Sequence, residues 1–327
     1  MKRIVFFVLL PVKNPPNPVQ EEIKPGLKEW MVLVVLMLIW GSSFILMKKG
    51  LVSFTGMELG ALRISISFAV LMPLVFRRIK NVPKNKLKYF ALAGVVGNGV
   101  PPFLFAIAQT RIDSFLAGVL NSLTPLFTLL VGVMFFGIRT RWVNVLGVIL
   151  GLVGAVGLLT AVHDPALGNG ILYGLIIVLA TVFYAFNMNI IKRFLAGFDA
   201  ITITSVVFTI IGIPAVIYLF AGTGFVETMA EGRQSWISLG YVAILAIFGT
   251  AISMVMHNWL IRRTSALFAS TVTYMMPIVS IFWGVLDGEA FLVVYLFWIT
   301  LILAGVYMAN RQPGLLRRIV KGRKGRA

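Results

Sequence analysis

Long apolar runs separated by short polar breaks make up most of this chain. Ten of the runs approach the roughly 20 residues that a helix needs to cross the hydrocarbon core of a bilayer. Their predicted limits are about 30–48, 57–76, 87–109, 114–136, 141–161, 169–191, 200–221, 236–260, 265–286 and 290–309. No connection between them is long enough for a soluble domain. The pattern predicts an all-α integral membrane protein with ten transmembrane helices.

The fourth and ninth runs each carry a proline near the middle. Pro125 has Asn121 one turn before it, and Pro277 has Thr273 in the same place. Proline cannot donate a hydrogen bond to the carbonyl one turn back. In lipid, such a freed carbonyl needs a partner inside the protein or in a water-filled cavity. Interrupted segments at corresponding positions of two halves are typical of a transporter's binding site.

Ten helices divide into five and five, and an odd number per half makes the second half enter the membrane from the other side. We therefore expect two inverted five-helix repeats, which can exchange conformations to give alternating access. The run Ile4–Leu10 is too short to span, so we interpret it as part of a tail. The expected divisions are a cytoplasmic N-terminal tail over 1–29, the first repeat over 30–162, the second repeat over 168–310 and a basic cytoplasmic tail over 311–327.

Composition supports the membrane assignment and limits the chemistry. The chain is 59% hydrophobic and 12% charged, whereas soluble domains carry about 25% charged residues. The absence of cysteine excludes disulfides, thiolate metal sites and cysteine nucleophiles. With two histidines in 327 residues, a histidine-rich metal centre is excluded as well. We expect neither a cofactor nor a metal.

The basic residues predict the orientation of the helices. With the N-terminus inside, 24 of the 29 Lys and Arg residues fall on the inner side and four on the outer side. This asymmetry places both termini in the cytoplasm of a multi-pass protein of the cytoplasmic (inner) membrane. The net charge of +18 then faces the anionic inner leaflet and needs no nucleic acid to explain it.

Polar and aromatic residues at mid-depth are the candidates for a binding site. Trp40 lies near the centre of the first helix, and Ser42 and Ser43 follow it. They could form a ligand-facing wall, or small residues could simply let helices pack closely. For the other candidates the alternative is an ordinary kink or a buried hydrogen bond. The candidate cavity lining is Trp40, Ser42, Ser43, Asn98, Asn121, Pro125, Tyr184, Asn187, Thr273, Tyr274 and Pro277. His257 could titrate during transport, or it could be a hydrogen-bonded histidine near the interface.

Charged groups are scarce at mid-depth. No carboxylate lies there, so nothing supplies the buried Asp or Glu typical of a proton relay. Arg63 is only about a turn and a half inside the second helix, so we expect no mid-depth cation. The cavity is interpreted as aromatic and neutral-polar. Such a cavity favours a zwitterionic or weakly amphipathic metabolite over a polyanion.

Four stretches, in order, resemble the EamA family of ten-helix transporters in the drug/metabolite transporter superfamily. They are Trp40-Gly41-Ser42-Ser43-Phe44, Glu58 to Phe68, Thr124 to Thr128 and Pro277 to Glu289. The resemblance covers about 30–310. It implies a secondary transporter that exports amino acids, other metabolites or drugs.

One position departs from the family pattern. The family commonly has Gly-Glu after the fourth helix, where this chain has Gly137-Ile138-Arg139, while Gly288-Glu289 follows the ninth helix. A role for a glutamate in the first half is therefore in doubt.

Two other functions stay open. A flippase for a lipid-linked or amphipathic substrate would need a lateral opening between helices. A membrane-embedded enzyme would need catalytic groups, but the sequence has neither H-E-x-x-H nor G-x-S-x-G.

The expected partners are a small-molecule substrate and the lipid bilayer. Gly147 and Gly151 form a G-x-x-x-G that could be a dimer face or could pack inside the monomer, so monomer and homodimer both remain possible.

Overall fold

A computed structural model describes residues 25–75, 78–138, 140–161 and 170–309. Most of the predicted N-terminal tail and all of the basic tail over 311–327 lie outside the described residues. Within them the chain is helical. Nine helices are long and apolar enough to cross a membrane, and a tenth is shorter.

The ten predicted transmembrane helices are confirmed, and most of their ends lie within three residues of the expected ones. We number them α1 Leu27–Gly50, α2 Gly56–Val75, α3 Lys84–Ala108, α4 Ser114–Phe136, α5 Trp142–Ala161, α6 Gly170–Leu195, α7 Ala200–Ala221, α8 Arg233–Arg263, α9 Ala266–Leu286 and α10 Val293–Ala309. The N-terminal face is the end of the bundle at which α1 begins, and the opposite face is the end at which α1 stops.

Polar side chains next to the apolar runs determine where several helices begin. The Asp199 carboxylate accepts a hydrogen bond from the Thr202 backbone N–H (3.0 Å) at the start of α7. At α2 the Thr55 hydroxyl and the Glu58 carboxylate bond each other's backbone N–H groups, which forms a capping box. These caps satisfy N–H groups that the first turn of a helix leaves without partners.

Helices α4 and α9 both end in a turn whose last N–H bonds back to a glycine carbonyl, across six residues in α4 and five in α9. The Ile138 N–H donates to the Gly132 carbonyl (3.0 Å), and the Glu289 N–H donates to the Gly284 carbonyl (2.9 Å). Both ends pass through a glycine with positive φ, at position 137 (+69°) and at position 288 (+83°). Glycine adopts this left-handed conformation without the penalty that other residues incur. Ile138 and Glu289 therefore occupy corresponding places in the two halves.

The breaks inside the helices also correspond. Helix α4 is interrupted at residues 122–123 and α9 at Thr271. Helix α3 contains a π-helical turn at Val95–Gly99, and α8 contains one at Ile247–Ile252. Such wide turns inside an α-helix are frequent at functional sites.

Helix packing follows the same correspondence. Helix α1 packs on α8 and α9, while α6, five helices later, packs on α3 and α4. Helices α2 and α7 pack on each other, as do α5 and α10. Every contact named here joins one half of the chain to the other.

Glycines bring α5 and α10 into backbone contact. A Cβ added at Gly305 would lie 2.3 Å from the Gly151 nitrogen, and one at Gly147 would lie 2.5 Å from the Gly305 carbonyl oxygen. The G-x-x-x-G of α5 therefore packs inside the monomer, as small residues commonly do between helices in lipid.

Replacing one of these glycines should loosen the bundle. We expect Gly305→Val to lower the unfolding free energy by about 1–3 kcal/mol, because the added methyl groups cannot fit against the α5 backbone. Thermal unfolding of the detergent-purified protein measures this loss. Gly240→Val is the matched control, since a Cβ at Gly240 meets nothing within 4 Å. Equal behaviour of the two variants would contradict the packing described here.

Candidate functional site

A cavity lies between the two halves at about mid-depth. About 620 Å³ of atom-free space, part of it open to solvent, lies between its walls. Helices α1, α2, α3, α4, α6, α8 and α9 all contribute side chains. The lining residues are Trp40, Ser43, Phe44, Met47, Arg63, Phe105, Asn121, Thr124, Tyr184, Asn187, Met188, Met254, His257, Thr273 and Met276.

Seven of the twelve residues singled out from the sequence line this cavity. They are Trp40, Ser43, Asn121, Tyr184, Asn187, His257 and Thr273. Their presence in one cavity does not test a role in binding, which stays a prediction. It does show that polar residues in the middle of apolar helices face the protein interior, as lipid requires.

The other five candidates lie outside the lining. The Ser42 hydroxyl accepts a hydrogen bond from Trp283 Nε1 (2.9 Å), and the Tyr274 hydroxyl donates to the Val306 carbonyl (3.2 Å). Asn98 is buried in the π-helical turn of α3. Pro125 and Pro277 shape α4 and α9 without contributing to the wall.

The carbonyl freed by Pro125 is satisfied within its own helix. The Thr124 hydroxyl donates to the Asn121 carbonyl at 2.7 Å, across the break in α4. The Asn121 side chain is thereby left to the cavity, where its Nδ2 lies 3.6 Å from the sulfur of Met276. The proline thus exposes a side-chain amide to the cavity and leaves no bare carbonyl there.

Trp40 is held against α8 by its indole N–H. Nε1 donates to the Gly249 carbonyl (3.0 Å) and lies 2.9 Å from the Ser253 hydroxyl. The Gly249 carbonyl belongs to the π-helical turn, whose wider backbone makes it accessible. The ring meets the His257 imidazole edge to face, with centroids 4.8 Å apart. Trp40 therefore forms a fixed aromatic wall.

Two polar atoms of the cavity have no hydrogen-bond partner among the described residues. They are Asn187 Oδ1 and His257 Nε2, and both are buried. Buried polar groups are nearly always paired. Both residues belong to the cavity wall, but the two atoms have almost no exposed surface, so a ligand reaches them only if these side chains turn toward the cavity.

Arg63 corrects the sequence interpretation. Its distance from the end of α2 suggested that it lay outside the site, but its side chain lines the cavity and only 6% of its surface is exposed. The cavity is therefore not neutral. A lone cation inside an apolar helix was the available signal, because such residues almost always face the interior of the bundle.

Sequence reasoning also missed the apolar part of the wall. Phe44 and Phe105 contribute ring faces, and Phe105 stacks on Tyr184 with centroids 5.8 Å apart. Four methionines complete it, at positions 47, 188, 254 and 276. Met side chains adapt to ligands of different shape, but nothing in an apolar helix marks which of its methionines face inward.

An ion-pair cluster ties three helix ends together at the opposite face; we call it the latch. It consists of Lys48, Lys49, Asp287, Glu289 and the first two backbone N–H groups of α4. Lys48 Nζ lies 2.8 Å from the carboxylate of Glu289 and 2.9 Å from that of Asp287. Lys49 pairs with Asp287 as well. The latch joins α1 and α4 of the first half to the α9–α10 connection of the second.

Glu289 is the buried centre of the latch. Its side chain is 1% exposed, and its carboxylate accepts from the backbone N–H groups of Ser114 (2.9 Å) and Phe115 (3.0 Å). Burial alone would raise the pKa of the Glu289 carboxyl. The hydrogen bonds from Lys48, Phe115 and Ser114 outweigh burial and hold this pKa below its ordinary value.

The N-terminal face has no carboxylate at the corresponding place. Ile138 stands where the latch has Glu289, as the ends of α4 and α9 show. Lys192 Nζ, near the end of α6, donates there to the carbonyls of Ile261 (3.2 Å) and Thr264 (2.5 Å). These bonds lie within the second half, whereas Arg78 Nη1 lies 2.7 Å from the Asp199 carboxylate and joins the α2–α3 connection of the first half to the start of α7 in the second. Each face is thus held by at least one ion pair between the halves.

Comparison with known proteins identifies the kind of molecule that this chain resembles. The model of the EamA-like transporter family matches the chain twice, over residues 27–160 and 171–311. An uncharacterized transporter of Archaeoglobus fulgidus is 27% identical over 291 residues, which cover 88% of this chain and all of the relative. The uncharacterized inner membrane transporter YedA of Escherichia coli K12 is 27% identical over 301 residues, which cover 86% of this chain and 92% of that protein.

A solved crystal structure shares the fold. It superposes with a TM-score of 0.60 at 20% identity and covers 86% of this chain and 96% of its own.

Removing the central charge of the latch should destabilise the protein at neutral pH. We expect Glu289→Gln to lower the unfolding free energy by about 2 kcal/mol, because it weakens hydrogen bonds that a full negative charge strengthens. Thermal unfolding in detergent measures the change. Glu231→Gln, in the connection before α8, is the matched control.

The same carboxylate predicts how stability depends on pH. Because the pKa of Glu289 is lowered by folding, its contribution is present above its ordinary value near 4.5 and is lost as the pH falls through the lowered value. The gap between wild type and Glu289→Gln should therefore close on acidification below about pH 4.5. A gap that is constant down to pH 3 would contradict this assignment.

Proposed function

Because the chain belongs to the EamA-like transporter family, whose model matches both of its halves, we propose that it is a secondary transporter of small organic metabolites such as amino acids. The proposed direction is export, and the proposed mechanism is alternating access. The observation that carries the proposal is the mid-depth cavity, which both halves line and in which buried polar atoms lack protein partners.

The proposed mechanism rests on two inverted repeats, over 30–162 and 168–310. Three features support the inversion: the paired breaks in α4 and α9, the paired π-helical turns in α3 and α8, and the reciprocal packing of α1 and α6. Gly97 and Gly249 stand in the two π-helical turns, and each is contacted by the first helix of the other half. A Cβ at Gly97 would lie 2.2 Å from the Asn187 amide, and one at Gly249 would lie 2.7 Å from the Ser43 hydroxyl.

Alternating access requires that each face can open while the other closes. The latch closes the opposite face by joining the two halves, and the ion pair between Arg78 and Asp199 joins them at the N-terminal face. Because the Glu289 side chain is 1% exposed and that of Asp199 is 50% exposed, the latch is the stronger of the two ties. We propose that one half rocks against the other about the cavity, and that the latch breaks when the opposite face opens.

Orientation and location follow from charge and from relatives. The excess of Lys and Arg on the N-terminal face supports cytoplasmic termini. The relative YedA is named as an inner membrane transporter, which supports the same location here. The latch then lies on the outer side.

Transport is tested directly in proteoliposomes. We expect the purified protein to accelerate the flux of at least one solute from a panel of amino acids and dipeptides, with and without an imposed pH gradient. Protein-free vesicles and protein carrying Gly305→Val are the controls. Absence of flux for the whole panel under both conditions would contradict the proposed substrate class.

The location of the pathway has its own test, which the natural absence of cysteine makes simple. Ser43→Cys places a thiol in the cavity, whereas Ser42→Cys places one against Trp283 in the contact of α1 with α9. A small methanethiosulfonate reagent should abolish most of the flux of the Ser43→Cys protein and spare the Ser42→Cys protein. The reverse pattern would place the pathway elsewhere.

A further inference from the structure

Arg63 is a buried cation without a counterion in the described part of the chain. Its guanidinium faces the cavity, and no carboxylate of the described residues forms an ion pair with it. The described cation–π contacts do not include it either. Glu58, on the same helix, is engaged in the capping box with Thr55.

The Nε side of the Arg63 guanidinium is hydrogen-bonded, and its two Nη groups are not. Nε donates to the Thr250 hydroxyl at 2.7 Å, and Thr250 belongs to the π-helical turn of α8. Neither Nη group donates a hydrogen bond to any residue that the structure describes. The Nε bond fixes the plane of the fork, so the two Nη groups are presented to the cavity in a defined orientation.

Burying the Arg63 guanidinium in this way is energetically unfavourable unless an anion pairs with it. Leaving a charge unpaired in a protein interior costs several kcal/mol, and unpaired donors add their own desolvation penalty. A planar guanidinium with free N–H groups matches the two oxygens of a carboxylate. One guanidinium, with no second cation in the lining, matches the single negative charge of a carboxylate better than the two negative charges of a phosphate monoester.

One unpaired acceptor of the cavity wall, His257 Nε2, lies away from Arg63 along the membrane normal. Thr250, which holds Arg63, and His257 are seven residues apart on α8, or about 10 Å along the helix axis. Trp40 spans the interval, because its indole N–H reaches Gly249 and its ring contacts His257. The cavity therefore has a cationic pole at Arg63, an aromatic middle at Trp40 and an unpaired acceptor, His257 Nε2, at the other pole; Asn187 Oδ1 is a second unpaired acceptor in the wall.

We propose that Arg63 is the anchor for a carboxylate of the transported solute. The ligand class is then an amphipathic organic monocarboxylate with an apolar or aromatic body and an N–H or O–H donor at its far end. The carboxylate binds the two Nη groups, the body lies along Trp40, and the donor meets His257 or Asn187. This inference rests on the proposed function, because it assigns the substrate of the same cavity.

The test compares each carboxylate with its own amide, which has nearly the same shape and lacks the negative charge of the carboxylate. The probes are 4-hydroxybenzoate and its amide, L-tyrosine and L-tyrosinamide, and 3-(4-hydroxyphenyl)propionate and its amide. Binding to the detergent-purified protein is followed by calorimetry. For wild type we expect at least one carboxylate to bind about tenfold to a hundredfold more tightly than its amide, as a charge-assisted bidentate pair would give.

Variants at position 63 distinguish an arginine that binds the carboxylate from one that only supports the fold. Arg63→Met should abolish the preference for the carboxylate while leaving amide binding in place, and Arg63→Lys should keep part of the preference. Arg63→Met should also unfold at the same temperature as wild type or higher, because it removes an unpaired buried charge. Arg233→Met, at the exposed start of α8, is the control and should behave as wild type.

Several results would overturn the assignment. They are the absence of binding for all three carboxylates, equal binding of carboxylate and amide, and an unchanged preference in Arg63→Met. Tighter binding of inorganic phosphate than of any carboxylate would also refute it. Carboxylate binding without flux in proteoliposomes would refute the proposed function and keep the anchor, whereas flux of the amides alone would refute the anchor and keep the function.

Discussion

Lipid offers no hydrogen-bond partner to a broken backbone or a buried charge, and this constraint governs the structure. Each break in a helix must be satisfied from within the protein. The Thr124 hydroxyl does this for the Asn121 carbonyl below Pro125, and the Trp40 indole does it for the Gly249 carbonyl in the π-helical turn of α8. The interrupted helices therefore meet where the two halves meet, and two of the buried polar atoms left without a partner in the described residues, Asn187 Oδ1 and His257 Nε2, belong to the wall of the cavity.

The same constraint distributes charge across the protein. In the described residues, ion pairs lie at helix ends, where water and the headgroups can share them. Arg63 is the exception, since it stands in the cavity wall with one neutral partner. The latch and Arg63 both place charge between the two halves, at different depths in the bundle. The first joins the halves at one face, and the second leaves a charge between them, which we propose pairs with an anion of the solute.

The sequence predicted the ten spans and both proline breaks, because lengths of apolar residues and prolines determine these directly. It placed seven of the twelve candidates in the cavity wall by the rule that polar groups avoid lipid. It could not predict direction around a helix: Ser42 and Ser43 are neighbours, yet one bonds Trp283 and the other lines the cavity. The interpretation of Arg63 was wrong because depth was judged from the helix end alone. A π-helical turn within an apolar run has no recognisable sequence pattern. The contacts that these turns make could therefore be identified only from the structure.

The central claim is that the two halves exchange conformations about the cavity, and paired spin labels test it most directly. In the cysteine-free chain, one pair at Val52 and Leu292 spans the opposite face, and a second pair at Arg141 and Gly197 spans the N-terminal face. Pulsed electron–electron resonance would measure both distances with and without the Glu289→Gln change. The account predicts that opening the latch lengthens the first distance and shortens the second. Two unchanged distances, or two that lengthen together, would contradict it.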